Sequence, residues 1–238
     1  MTLPISSLTV TNLSVTDGSR TLVTGVNLTI NPGQVTAVIG ANGAGKSELV
    51  LALAGVLPIS AGTVTLDGQT LKPTPETIRR SGIAAVPEGH RVLTALSVDD
   101  NLRAAGTLLG PKSKAQLAEV YAIFPELAER KSQLAGTMSG GQQQMLALGH
   151  ALMCAPRYLL IDEMSLGLAP LIVKRLLGVV TSLKSQGVGI LLIEQFTDLA
   201  LSIAENAVVL RSGKMRYAGP AQALINDKAL LQTAYFGS

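Results

Sequence analysis

Cysteine occurs once in this chain of 238 residues, at position 154, and aromatic side chains make up only 3%. A single thiol excludes an internal disulfide framework and any multi-cysteine metal site. Cys154 lies in the apolar stretch Ala151 to Ala155, which reads as a core position. Long hydrophobic runs are also missing. Hydrophobic residues reach 47%, yet runs such as Gly189 to Ile193 fall far short of the roughly 20 residues that span a bilayer. Met1 to Val10 has neither the basic start nor the continuous apolar stretch of a secretory signal, so the expected location is cytoplasmic, peripheral to a membrane at most. Charge of one sign is scarce as well: 19 Lys and Arg stand against 16 Asp and Glu, a net +3. The basic residues are scattered, with no stripe to follow a phosphate backbone, which argues against nucleic acid as the main ligand. Internal repeats, low-complexity tracts and charge blocks are absent, and the length suits one folded domain.

What is present changes character along the chain. Leu8 to Val10 and the alternation Val26, Leu28, Ile30 carry period-two apolarity, broken by turns at Asp17-Gly18 and Asn31-Pro32-Gly33, and predict a short antiparallel sheet. At Val35 the pattern becomes a continuous apolar strand to Ile39, then a glycine-rich loop, then a helix over Ser47 to Ala54. Thr74-Pro75 opens a short helix with Glu76 in its first turn, Arg79 and Arg80 in its last and Gly82 beyond, ahead of a buried strand at Ile83 to Val86. From about Leu93 to Ala155 helical spacing dominates and no strand is convincing, which predicts an inserted helical subdomain. Strands resume at Tyr158 to Ile161, Ile190 to Ile193 and Val208 to Leu210. Helices alternating with buried strands point to a parallel α/β core.

Two motifs carry chemistry. Gly40-Ala41-Asn42-Gly43-Ala44-Gly45-Lys46-Ser47 follows a strand and opens a helix, the setting of a phosphate-binding loop. Its glycines permit a nest of backbone amides, Lys46 reaches the β and γ phosphates, and the Ser47 hydroxyl ligates magnesium. Further on, the apolar strand Tyr158 to Ile161 ends in Asp162 and Glu163. Alone, that pair reads equally well as an ordinary acidic turn. Joined to the loop it predicts a nucleotide triphosphatase, with Asp162 toward the metal and Glu163 toward the attacking water. Between them, Ser139-Gly140-Gly141-Gln142 precedes a helical run from Met145 to Cys154. Ser139 reads as a helix cap, and equally as part of a second γ-phosphate site made of free helix-start amides.

With Ser139 to Gln142 upstream of Asp162-Glu163 and the loop at Gly40 to Ser47, the chain resembles the ATP-binding-cassette ATPases over essentially its whole length. Val86-Pro87-Glu88-Gly89, Ser165 to Pro170 and Ile193-Glu194-Gln195 are similar to the branched-chain amino acid importer ATPases within that family. The resemblance implies ATP and Mg²⁺ as cofactors. It implies a head-to-tail dimer that holds ATP between the phosphate loop of one subunit and Ser139 to Gln142 of the other. The implied fold is a P-loop NTPase core (1–92 and 155–238) with an N-terminal antiparallel β subdomain and a helical signature subdomain (93–154). The implied partners are two membrane permeases, a second cassette (an identical copy or, as the importer resemblance favours, a different subunit) and, indirectly, an extracytoplasmic solute-binding protein. Branched-chain amino acids, urea or amides are the implied cargo.

By the same resemblance Glu88 falls where most members carry a glutamine that senses magnesium and the permease, and Gln195 where most carry a histidine on the γ-phosphate. Read without it, Glu88 is a solvated loop carboxylate and Gln195 a polar strand end. Gln195 can donate a hydrogen bond to a phosphate oxygen but lacks the charge of an imidazolium, which leaves more of the catalysis to Glu163. Thr16 and Asp17 occupy the place of the usual adenine-stacking aromatic, Glu48 that of a small hydroxyl residue, Met164 that of a proline and His150 that of an arginine. Two other readings stand beside the importer: a soluble cassette protein acting on ribosomes or DNA, and an ATP-binding regulatory subunit with little turnover.

Overall fold

Period-two segments build one half of the sheet and continuous apolar segments the other. A computed structural model describes residues 7–89 and 91–237, so Met1 to Ser6 of the signal-peptide reading lie outside the described residues. β1 (Leu8–Asp17) pairs antiparallel with β2 (Arg20–Ile30) and buries Leu8, Val10, Leu13 and Val15 on one face. β3 (Val35–Ile39) is buried at every residue and leads through the glycine loop into α1 (Lys46–Leu53). β4 (Ile59–Leu66) adds antiparallel to β1, and the two-residue β5 (Gln69–Thr70) to β4. The sequence reading missed β4 because Ser60 to Thr63 are all exposed, and only Val64 and Leu66 carry the alternation.

α2 (Pro75–Arg80) starts where expected. Thr74 caps it by accepting a hydrogen bond from the Thr77 amide at 3.3 Å, with Pro75 in the first turn. β6 (Ile83–Val86) follows, then α3 (Val98–Ala105), α4 (Ser113–Ile123), α5 (Pro125–Ala128) and α6 (Gly140–Leu152). The chain returns to the sheet as β7 (Tyr158–Asp162) and alternates through α7 (Pro170–Ser185), β8 (Gly189–Ile193), α8 (Thr197–Ile203) and β9 (Asn206–Arg211). It closes with β10 (Lys214–Pro220), α9 (Ala221–Asn226) and α10 (Lys228–Phe236).

The ten strands run in the order β5-β4-β1-β2-β10-β9-β3-β8-β7-β6. β9, β3, β8, β7 and β6 are mutually parallel, so the loops after β3, β7 and β8 emerge side by side on one edge, the position at which α/β sheets bind ligands. β10 pairs antiparallel with β9 and touches β2 in parallel only at Lys214 and Thr24, which joins the two halves. β6 and β7 are neighbours, and the helices α3 to α6 lie between them in sequence.

Those helices are organised around a buried amide. Asn101 donates to the carbonyls of Leu93, Leu96 and Ser97, accepts from the Leu93 amide, and faces His150 Nε2 at 3.1 Å. Burial, with the Arg79 guanidinium adding to it, holds the His150 imidazole down to about 4 from its ordinary 6.5. Acid therefore protonates the unfolded chain first, and this stability is complete above about pH 6.5 and lost as pH falls toward 4. Its full extent is about 3 kcal/mol. Melting temperatures from pH 7.5 to 4.5 are expected to fall less steeply in His150→Gln than in the parent protein.

Candidate functional site

Backbone geometry dictates the loop after β3. A Cβ on Gly40 would run into the carbonyl oxygen of Leu210. Gly45 has φ +99°, and a Cβ there would sit 2.8 Å from the Val23 side chain. The loop closes on itself through the Ala44 amide to the Ala41 carbonyl at 3.1 Å, and is tied down by the Gly213 amide donating to the Ala44 carbonyl at 3.0 Å. No side chain caps α1 at Gly45, so its first amides stay open to an anion. Lys46 is only 4% exposed. Its ammonium donates to the carbonyls of Gly40 at 2.9 Å and Ala41 at 3.2 Å and stands 3.6 Å from Glu163 Oε1.

These groups border a cavity of about 230 Å³ lined by Asn42, Gly43, Gly45, Lys46, Ser47 and Glu48 from the loop and α1 and by Glu88, Glu163, Leu166 and Gln195 from the loops after other strands. Asp162 lies beneath it, 2% exposed, and its Oδ1 has no hydrogen-bond partner. Burial pushes its carboxyl up to about 6; the Ser47 hydroxyl opposes this, the Glu163 and Glu88 carboxylates add to it, and Lys46 opposes it. Glu163 sits in the left-handed region at φ +47°, its amide bonded to the Ile193 carbonyl at 3.0 Å. Among the described residues no group of three or more His, Cys, Asp or Glu side chains forms a metal site by itself.

The structure thus brings together Gly40 to Ser47, Glu88, Asp162, Glu163 and Gln195. Ser139 to Gln142 do not line this cavity. Ser139 and Gly140 are exposed at the start of α6, in a capping box in which Ser139 Oγ accepts from the Gln142 amide at 3.4 Å and Gln142 Oε1 accepts from the Ser139 amide at 3.0 Å. Thr16 and Asp17, at the end of β1, do not line it either. Cys154 packs against the core as a half-buried residue; it also accepts from Arg79 at 3.4 Å and borders a second cleft. Sequence reasoning missed the pair Ser165 and Glu194. The signal for it is an acidic residue directly after the wholly apolar β8.

The family description "ABC transporter" matches residues 23–165, more than half of the chain. The chain belongs to the ABC transporter family. This ABC ATPase is 41% identical, over 89% of its length and 91% of the relative's, to the high-affinity branched-chain amino acid transport ATP-binding protein BraG of Pseudomonas aeruginosa. It is 36% identical to the probable branched-chain amino acid transport ATP-binding protein LivF of Archaeoglobus fulgidus, over 85% and 87% of the two chains. Among solved structures, an ATP-binding subunit of an ABC transporter superposes with a TM-score of 0.82 at 28% identity, covering 94% of this chain and 93% of that one. ATP-binding subunits of this family work with membrane permease components. None of the described helices of this ABC ATPase is long and apolar enough to cross a membrane itself.

Proposed function

We propose that this ABC ATPase powers uptake of branched-chain amino acids, or of a related small polar solute such as urea or an amide, by hydrolysing Mg²⁺-ATP in the 230 Å³ cavity. One observation carries the assignment of the site. Lys46, the unpartnered Oδ1 of Asp162 and the strained Glu163 converge where β3 and β7 end on the same edge. The cargo rests on the names of the two relatives.

In this reading the amides of Gly40 to Ser47 and the Lys46 ammonium cradle the phosphates. An orphaned buried carboxylate oxygen beside a hydroxyl fits Mg²⁺, which keeps waters and phosphate oxygens and needs few protein ligands. Ser47 and Asp162 would hold it, with Glu88 at its edge; the ion supplies charge neutralisation at the β and γ phosphates. Glu163 orients and polarises the water, and Gln195 donates to a γ-phosphate oxygen. The exposed start of α6, Ser139-Gly140-Gly141-Gln142, serves the ATP of a second cassette, a different subunit by preference.

Residues 1–92 and 155–238 form the catalytic core in this reading and 93–154 the helical signature subdomain. The second cleft, about 430 Å³, lies where they meet and is lined mainly by apolar residues, including the exposed Val56 and Leu93. It supports docking of an apolar permease segment a few residues from Glu88, and hence a peripheral place on the cytoplasmic membrane face beneath two permeases fed by a solute-binding protein. The test is affinity purification of the Glu163→Gln chain from its own membranes with ATP and Mg²⁺. Two permeases and a second cassette are the expected companions, and only soluble partners would overturn the importer reading.

A further inference from the structure

Glu194 is 1% exposed, follows the last residue of β8 and precedes Gln195, and forms no ion pair among the described residues. An apolar residue would avoid the cost of burying a carboxyl there. Both of its oxygens are spent on one residue of the neighbouring loop. The Ser165 amide donates to Oε1 at 3.2 Å, and the Ser165 hydroxyl donates to Oε2 at 2.5 Å. Burial pushes the Glu194 carboxyl up to about 7 against these two bonds.

Ser165 follows Glu163 by two residues, and Glu163 holds a left-handed conformation that a residue with a side chain adopts only under constraint. The tie between the Glu163 amide and the Ile193 carbonyl pins one side of that turn to the end of β8. The Glu194 to Ser165 pair pins the other side to the residue that follows the strand. The two ties form a brace at the C-terminal end of β8. The same strand end delivers Gln195 to the lining of the cavity.

We propose that Glu194 is a positioning residue for ATP hydrolysis: by bracing Ser165 it holds the turn that aims Glu163 at the phosphate cavity. This rests on the assignment of Glu163 to the attacking water. Displacing a reacting group by about 1 Å costs about 10²-fold in rate. Among the described residues the Glu194 side chain hydrogen-bonds to Ser165 and not to the phosphate loop, so its loss should leave nucleotide binding in place.

The test measures ATP turnover by the full chain purified with its companion subunits. Glu194→Ala is expected to lower kcat by about 10²-fold with KM for ATP within about twofold. Glu194→Gln should restore most of the rate, because its amide oxygen accepts from the Ser165 amide while its NH₂ donates to the hydroxyl. Ser165→Ala removes one arm and should fall between them. In a Glu163→Gln background, Glu194→Ala should cost nothing further, since it acts through the missing group. Wild-type kcat in Glu194→Ala, failure of Glu194→Gln to rescue, or a loss that adds in full to that of Glu163→Gln overturns the proposal. If a thermal melt shows Glu194→Ala unfolded, Ser165→Ala and its double with Glu163→Gln decide by the same criteria. Full turnover by Glu163→Gln instead brings down the parent assignment, whereas its loss alongside an unaffected Glu194→Ala removes only the positioning role.

Discussion

Glu163→Gln is expected to reduce ATP turnover by about 10²- to 10⁴-fold, the range that a positioned general base contributes. The change is isosteric and keeps one acceptor oxygen, so the turn at φ +47° and its tie to Ile193 have no reason to move. What disappears is the basic oxygen facing the cavity, together with the ion pair to Lys46 at 3.6 Å. Freed from that pair, the ammonium is more available to phosphate, so affinity for ATP should hold or rise. Phosphate release under single-turnover conditions, alongside equilibrium binding of ATP, checks both halves. Turnover equal to that of the parent protein would sink the assignment.

Lys46→Ala should act on the other half of the cycle and weaken nucleotide binding by about 100-fold, as expected when a buried charge-assisted contact worth about 1.5–3 kcal/mol is removed. Among the described residues lining the cavity, Lys46 stands alone as a cation against Glu48, Glu88 and Glu163, with Asp162 beneath. Its removal leaves those carboxylates to repel a triphosphate. The carbonyls of Gly40 and Ala41 lose their donor as well, which should loosen the loop. Titration calorimetry with ATP and with ADP measures the loss, and unchanged affinity for ATP would contradict the phosphate-loop reading.

The parts of this architecture legible in sequence are those for which a local constraint leaves few alternatives. Gly40 and Gly45 stand where a side chain collides with its neighbours. β3, β7 and β8 read as mainly apolar runs, interrupted only by Thr36 and the closing Asp162, because parallel strands are buried on both faces. Thr74-Pro75 announces the start of α2 through capping chemistry, and Glu76, Arg79 and Arg80 suit its dipole. β4 stayed hidden because its first half faces solvent, and antiparallel addition to β1 leaves little trace in single-residue hydropathy. The Ser165 to Glu194 pair was hidden because its two members are far apart in sequence and meet only when β7 and β8 lie side by side. Cys154 is legible in part. Its apolar surroundings are real, but the wall they form is the lip of a cleft.

The order of strands also dictates when the phosphate loop can exist. β3 finds Ile190 of β8 and Asn206 of β9 as partners, and the loop beyond it packs on Leu210 and is tied by Gly213. None of these has been synthesised when Gly40 to Ser47 leave the ribosome. A growing chain can pair β1, β2 and β4 early, through contacts close in sequence, but the nucleotide site must wait for the last strands. ATP can therefore act as a folding ligand only late in synthesis, and nascent chains released before residue 213 should be unable to retain it however complete their motifs are.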